Sequence, residues 1–191
     1  RGGLVIYLDS AATSFLKPPG VKAAMMYAMD TMSSPGRGAY NAAMHAADKV
    51  YECRELACRL FNFDKPEHVV FTLNATHALN IAIKTLARRE SRVVISGYEH
   101  NSVPRPLREA GAKVSVAAGR LFDRNSALAA FEEKIPGADL VVCNHVSNVF
   151  GFIQPVYEIS EICSRFGVPL IIDASQSAGI EELDAERLNA D

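Results

Sequence analysis

Short apolar runs alternate with longer amphipathic ones along this chain. The runs at 4–8 (LVIYL), 68–72 (HVVFT), 92–96 (RVVIS), 113–117 (KVSVA), 139–143 (DLVVC) and 168–172 (VPLII) read as strands. Several are rich in Val and Ile without strict alternation, the pattern of strands covered on both faces. Between them the apolar positions recur with a helical period. Val21, Ala24, Met25, Ala28 and Met32 share one face over 21–32; Ala43, Ala46, Val50, Cys53, Ala57 and Leu60 share another over 42–60. Further helices are predicted near 76–87, 102–110, 125–134 and 155–166, the last opened by Pro155. This alternation implies an α/β fold with a mostly parallel sheet flanked by helices on both faces. No repeat, low-complexity tract or linker interrupts it, so residues 1–191 read as one domain.

In open α/β sheets, ligands bind beyond the carboxyl ends of the strands, so chemistry is sought just past each run. After 68–72, Asn74 is suited to cap a helix whose buried stripe is Leu79, Ile83 and Leu86. Such a helix start offers backbone N–H groups to an anion, best a phosphate, with the Thr76 hydroxyl beside it; an ordinary capped helix is the other reading. After 92–96, Glu99 and His100 sit in a loop before Pro104 and Pro106. That histidine could stack on a planar ring, move a proton, or simply be solvated. After 139–143, Asn144, His145, Ser147 and Asn148 crowd before Gly151, either to form a turn or to offer amides to an oxygen. After 168–172 comes Asp173, an acid at the end of a buried strand, costly there unless paired. Gln176 follows three residues on. No cluster of ligating side chains surrounds Asp173 locally, so a metal is the weaker choice.

Together these strand ends offer a phosphate cradle, an imidazole, an amide and a carboxylate. A flat, phosphorylated, nitrogen-containing ring with an acidic hydroxyl would use all of them, and pyridoxal 5′-phosphate is such a ring. A carboxylate at its pyridine nitrogen keeps that nitrogen protonated and the ring an electron sink.

Composition narrows the picture. With 191 residues, 49% of them hydrophobic, the chain can bury the core of one domain. A net charge of −2 gives no electrostatic case for nucleic acid or an anionic membrane. No apolar run is long enough to span a bilayer, and "RGGLVIYLDS" lacks a signal-peptide layout. Cys53, Cys58, Cys143 and Cys163 have no Cys-x-x-Cys spacing, which points to buried, reduced thiols in a cytoplasmic protein. A start at Arg1 and an end at "AERLNAD" suggest a piece of a longer chain.

Six segments, in order, resemble the class V aminotransferases, and within them the cysteine desulfurase and selenocysteine lyase group. "YLDSAATS" (7–14) is similar to the family's opening turn and "SSPGRGAYNAA" (33–43) to its Gly-Arg segment. "VFTLNATHALN" (70–80) resembles its phosphate loop, with Asn74 for the commoner glycine and His77 for the commoner acid. "EHNSVPRP" (99–106), "VSNVFGFIQPV" (146–156) and "IIDASQSAG" (171–179) resemble the histidine segment, the asparagine loop and the ring-nitrogen strand. The resemblance implies the large domain of a fold type I pyridoxal-phosphate enzyme. In it Ala75 and Thr76 would hold the phosphate and His100 would stack on the ring and relay protons. Asn148 and Gln176 would bond near the ring hydroxyl, and Asp173 would pair with the ring nitrogen. The family's Schiff-base lysine lies beyond the ring-nitrogen aspartate, whereas all seven lysines here precede Asp173. The lysine strand, the catalytic cysteine loop and a C-terminal small domain would then lie outside this chain, leaving the piece itself inactive.

The implied activity of the parent protein is removal of sulfur from L-cysteine, giving alanine and an enzyme persulfide. A homodimer and a sulfur-acceptor protein are the implied partners. Another class V reaction (selenocysteine lyase, epimerase or aminotransferase) is the nearest alternative; a non-catalytic module binding the cofactor or another phosphorylated ligand is a second. A plain nucleotide-binding domain is disfavoured, because no G-x-G-x-x-G follows the first strand and "LNATHALN" lacks a P-loop lysine.

Overall fold

The computed structural model describes residues 6–190. They divide into two compact units, one comprising the residues up to Leu60 with Asp64–Val69, the other Phe61–Phe63 with the residues from Val70 onward.

The first unit is helical. Helix α1 (Pro19–Thr31) starts on a proline, whose fixed φ and missing N–H suit a first turn. Helix α2 (Asn41–Phe61) begins after a turn in which the Ser33 hydroxyl meets the Tyr40 hydroxyl at 2.7 Å. Tyr27 of α1 and His45 of α2 meet edge to face with centroids 5.6 Å apart. The apolar face expected on α1 is not a core face: none of its residues is buried. On α2 only Ala43, Ala46 and Cys58 are buried, and Val50, Cys53 and Leu60 of the expected stripe are exposed. Cys53 is therefore not the buried thiol anticipated from sequence, while Cys58, Cys143 and Cys163 are buried and unbridged.

The second unit carries the sheet. It runs through helix α3 (Ala75–Leu86), strand β1 (Arg92–Ser96), helix α4 (Pro104–Ala110), strand β2 (Lys113–Ala117) and helix α5 (Arg124–Lys134). Strand β3 (Leu140–Asn144), helix α6 (Val156–Phe166), strand β4 (Leu170–Asp173) and a short helix α7 (Ala185–Leu188) follow. The four strands are all parallel, in the order β2-β1-β3-β4. Alternate side chains of β1 and β3 feed two cores. Val93, Ile95, Leu140 and Val142 pack with Leu79, Ile83, Val103 and Leu107 of the α3–α4 side. Val94, Val141 and Cys143 pack with Phe131, Ile159 and Cys163 of the α5–α6 side. Helices thus cover both faces, and every residue of β3 is buried.

Two strand expectations fail. Residues 4 and 5 of the 4–8 run lie outside the described residues, and Ile6–Leu8 join no strand. The run 68–72 forms no ladder either: Pro66–His68 is a 3-10 turn, and the extended residues beyond it leave Val70 and Phe71 exposed. Apolar β-formers become a strand only where a neighbour completes the ladder. Leu86, expected in the buried stripe of α3, is also exposed; Ala87, four residues after Ile83, takes the next core position.

Close approach decides one glycine. A Cβ on Gly119, just past β2, would lie 2.5 Å from the Ala127 Cα and 2.6 Å from its N, inside the backbone of α5. The Gly119 carbonyl also accepts the Tyr98 hydroxyl at 2.7 Å.

Candidate functional site

The connection from β1 leads out to β2 and the one from β2 returns across β1 to β3, so strand order reverses between β1 and β3. Loops leaving such a reversal diverge to opposite faces and open a crevice at the carboxyl edge. The β1–β3 ladder ends at Ile95 and Val142, while β3 stays paired with β4 up to Asn144 opposite Asp173. Ser96, Asn144 and Asp173 therefore stand side by side on this edge.

Asp173 is half-buried and its Oδ1 accepts both the Ser175 N–H at 3.0 Å and the Ser175 hydroxyl at 2.5 Å. The turn that follows the acid thus folds back onto it, the local hydrogen bonding that short polar residues favour after a strand. Gln176 lies in that turn, half-buried. The Asp173 carbonyl accepts the His145 N–H at 2.9 Å, locking the end of β4 to the chain beyond β3.

Asn148 sits in a turn closed by Gly151, whose N–H donates to the Ser147 carbonyl at 2.9 Å with a φ of +67° that suits glycine. The Ser147 hydroxyl accepts the Val149 and Phe150 N–H groups at 3.4 and 3.3 Å, so buried Ser147 organises the turn and Asn148 is left exposed. Asn144, grouped with Asn148 by sequence, has a different job. Its Nδ2 donates to the Tyr98 carbonyl at 2.8 Å and its Oδ1 accepts the Ser96 hydroxyl at 3.1 Å.

His100 is exposed. Its Nδ1 faces the Ser102 hydroxyl at 2.8 Å and accepts the Ser102 N–H at 3.2 Å. Accepting at Nδ1 leaves the proton of the neutral ring on Nε2.

Asn74 caps α3 as expected, its Oδ1 accepting the His77 N–H at 2.9 Å. His77 answers from its side chain, its Nδ1 accepting the Leu73 N–H at 3.5 Å. The cap satisfies one first-turn amide and leaves those of Ala75 and Thr76 without an intrahelical acceptor. Helix α3 shares a core with Ile171 of β4, two residues before Asp173.

Of the expected site residues, the structure sets Asp173 and Gln176 on one strand end and His100 and Asn148 on the loops leaving the two strands at the reversal. Ala75 and Thr76 form the exposed start of α3, which follows an irregular segment and not a strand end. Glu99, placed from sequence in the loop beside His100 without a role, has one in the structure. Its Oε1 accepts the Ser96 hydroxyl and the Asn144 N–H, and burial pushes its carboxyl up to about 7 against these bonds. Burial likewise raises the Cys143 thiol and lowers the His145 imidazole, His145 Nδ1 being buried without a hydrogen-bond partner. Among the described residues no group of three or more His, Cys, Asp or Glu side chains could hold a metal ion.

The sequence pattern of the family described as Aminotransferase class-V matches residues 6–191. The chain belongs to this family. Class V aminotransferases work with pyridoxal 5′-phosphate, and the site has the donor set for it: two first-turn amides for a phosphate, and an acid on a strand end for a ring nitrogen. The chain is 32% identical over 98% of its length to a "Probable cysteine desulfurase" of Pyrococcus abyssi. It is 35% identical over 97% of its length to another of Methanothermobacter thermautotrophicus. The solved apo structure of cysteine desulfurase from Thermococcus onnurineus NA1 superposes with a TM-score of 0.87 at 32% identity, over 98% of this chain and 48% of that one. The parallel-sheet fold expected from sequence is therefore the fold of this class V relative. The chain spans about half the length of the curated relatives it matches, 48% and 47% for the two named. No helix among the described residues is long and apolar enough to cross a membrane.

Proposed function

We infer that residues 1–191 form the cofactor-binding large domain of a cysteine desulfurase. The observation that carries this reading is the carboxyl edge of the sheet, where Asp173 ends β4 opposite Asn144 and the His100 and Asn148 loops diverge from the same edge. Bound pyridoxal phosphate supplies an electron sink for the charge left on a substrate carbon.

The chain's own residues do the rest. The Ala75 and Thr76 amides and the Thr76 hydroxyl bind the phosphate at the positive end of α3. Asp173 holds a proton on the ring nitrogen, with Ser175 orienting its carboxylate through Oδ1. Asn148 and Gln176 donate amide hydrogens near the ring hydroxyl. His100 would lie against the bound ring, and its Nε2, the nitrogen not engaged by Ser102, would be free to move a proton.

The other half of the protein contributes the lysine that anchors the cofactor and the cysteine thiolate that attacks the substrate sulfur. Cysteine and the enzyme thiol then give alanine and an enzyme persulfide, with the sulfur moving from carbon to sulfur and a proton taking its place on carbon. The protein works as a homodimer in a reducing, cytoplasmic setting, which agrees with the four unbridged cysteines, and passes its sulfur to an acceptor protein.

The test uses the full-length protein loaded with pyridoxal 5′-phosphate and given L-cysteine. Alanine formed in equal amount to sulfide released by a thiol reductant supports the reading. A loaded protein that makes no alanine from cysteine sinks it.

A further inference from the structure

Beyond Ile95 and Val142 the β1–β3 ladder stops, yet β3 continues for two residues. The next amide of β3 that faces β1, that of Asn144, does not find a backbone carbonyl there. It donates at 2.8 Å to Oε1 of Glu99. The same Oε1 accepts the Ser96 hydroxyl at 2.5 Å, and Ser96 Oγ in turn accepts the Tyr98 N–H at 3.2 Å. Asn144 returns a bond from its own side chain to the Tyr98 carbonyl. The turn Ser96–Glu99 is thus clasped to the tip of β3 by both its backbone and a carboxyl group. His100 is the next residue of that turn, and Asp173 is the ladder partner of Asn144.

We propose that Glu99 is a positioning residue: its carboxyl group replaces the missing rung between β1 and β3, and so sets the His100 loop at a fixed place relative to Asp173. This rests on the functional reading above for its consequence, but the clasp itself does not. A longer ladder would zip the two strands together and close the divergence of their loops. A bare gap would leave the Asn144 amide buried without an acceptor, which costs more than the bond is worth in net stability. A side chain long enough to reach across answers both needs.

The second oxygen sharpens the case. Oε2 of Glu99 is buried and has no hydrogen-bond partner. The groups that face the carboxyl are Asp173 from β4, Asn144 from β3 and Ser96 from its own strand end, with the Cys143 thiol also close. None is a cation, and an ionised Glu99 would add a negative charge beside Asp173. Burial accordingly favours the protonated acid, in which Oε1 still accepts both bonds.

Two variants of the full-length protein separate this role from bulk packing. Glu99→Gln keeps an acceptor oxygen in place and cannot ionise; Glu99→Ala removes the clasp. In the cofactor-free protein, amide hydrogen exchange at Asn144 and across 97–102 is expected to speed up by about tenfold or more in Glu99→Ala, and to return close to wild type in Glu99→Gln, while β1 and β4 stay protected. Affinity for pyridoxal 5′-phosphate is expected to fall about tenfold in Glu99→Ala and to recover in Glu99→Gln. Unchanged exchange at Asn144 in Glu99→Ala overturns the proposal, as does Glu99→Gln behaving like Glu99→Ala. A wild-type protein that takes up no pyridoxal phosphate overturns the functional reading alone, and the exchange experiment still judges the clasp.

Discussion

Asn144 and Asp173 stand directly opposite each other at the end of the β3–β4 ladder, and the His145 N–H holds the Asp173 carbonyl at 2.9 Å. The acid is therefore presented by two strands, not by a flexible tail. Its side chain is oriented in turn by Ser175.

Asp173→Asn separates charge from shape. The amide oxygen can still accept from Ser175, but it cannot hold a proton on a pyridine nitrogen. Alanine formation by the full-length enzyme should fall by at least about a hundredfold, with little change in the melting temperature. A variant with near wild-type turnover would place the ring nitrogen elsewhere.

Asn74→Ala removes the acceptor of the His77 N–H. Loss of such a cap costs about 1 kcal/mol, and it loosens the turn that presents the Ala75 and Thr76 amides. The melting temperature should drop by about 2–4 °C, and the dissociation constant for pyridoxal phosphate should rise. Asn74→Ser, which keeps a capping oxygen, should recover most of both.

Glu99 ties stability to pH. Its carboxyl is raised from 4.5 to about 7 in the folded protein, so between those values the native state holds a proton that the unfolded state has released. Its contribution is complete below the lower value and is lost as pH rises through the upper one, by up to about 3 kcal/mol. The difference in unfolding free energy between wild type and Glu99→Gln, measured in urea, should shift in favour of the variant from pH 5 to pH 8. A flat difference would show that the acid ionises normally.

Phe131 is fully buried in the core between the sheet and the α5–α6 layer. Phe131→Ala should destabilise by about 3–5 kcal/mol through lost burial and the cavity left behind. Urea unfolding of this variant is the check, and a loss under about 1 kcal/mol would mean that the core collapses into the space.

Much of this was legible in the residues. Strands β1 and β2 coincide with their predicted runs, and β3 and β4 are shifted by only one or two residues; for β1 and β3 the reason is that buried parallel strands show as unbroken apolar stretches, whereas β2 is mostly exposed. The cap at Asn74 and the prolines ahead of α4 were readable because a few local atoms decide them. The run 68–72 misled for the opposite reason. Its composition is that of a strand, but a strand is a relation to a neighbour, and its own residues do not say whether the neighbour is present. The faces of α1 and α2 misled in the same way: helical periodicity marks a side fit to be covered, whereas Met25 and Leu60 remain exposed. Glu99 was invisible as a positioning group because its meaning lies in Asn144, which is distant along the chain and adjacent only across the sheet.

Gly119 shows how far the influence of an unreactive position can extend. Its hydrogen atom fits against the backbone of Ala127 where a methyl carbon would not, and its carbonyl steadies the ring of Tyr98, whose own carbonyl is gripped by Asn144. An added methyl would have to lever a helix away from the sheet, and the displacement would be handed along the tyrosine to the loop that bears the imidazole. A mutational scan guided only by proximity to the acid at the end of β4 would pass over this residue, although alanine there should cripple the enzyme without removing any of its chemistry.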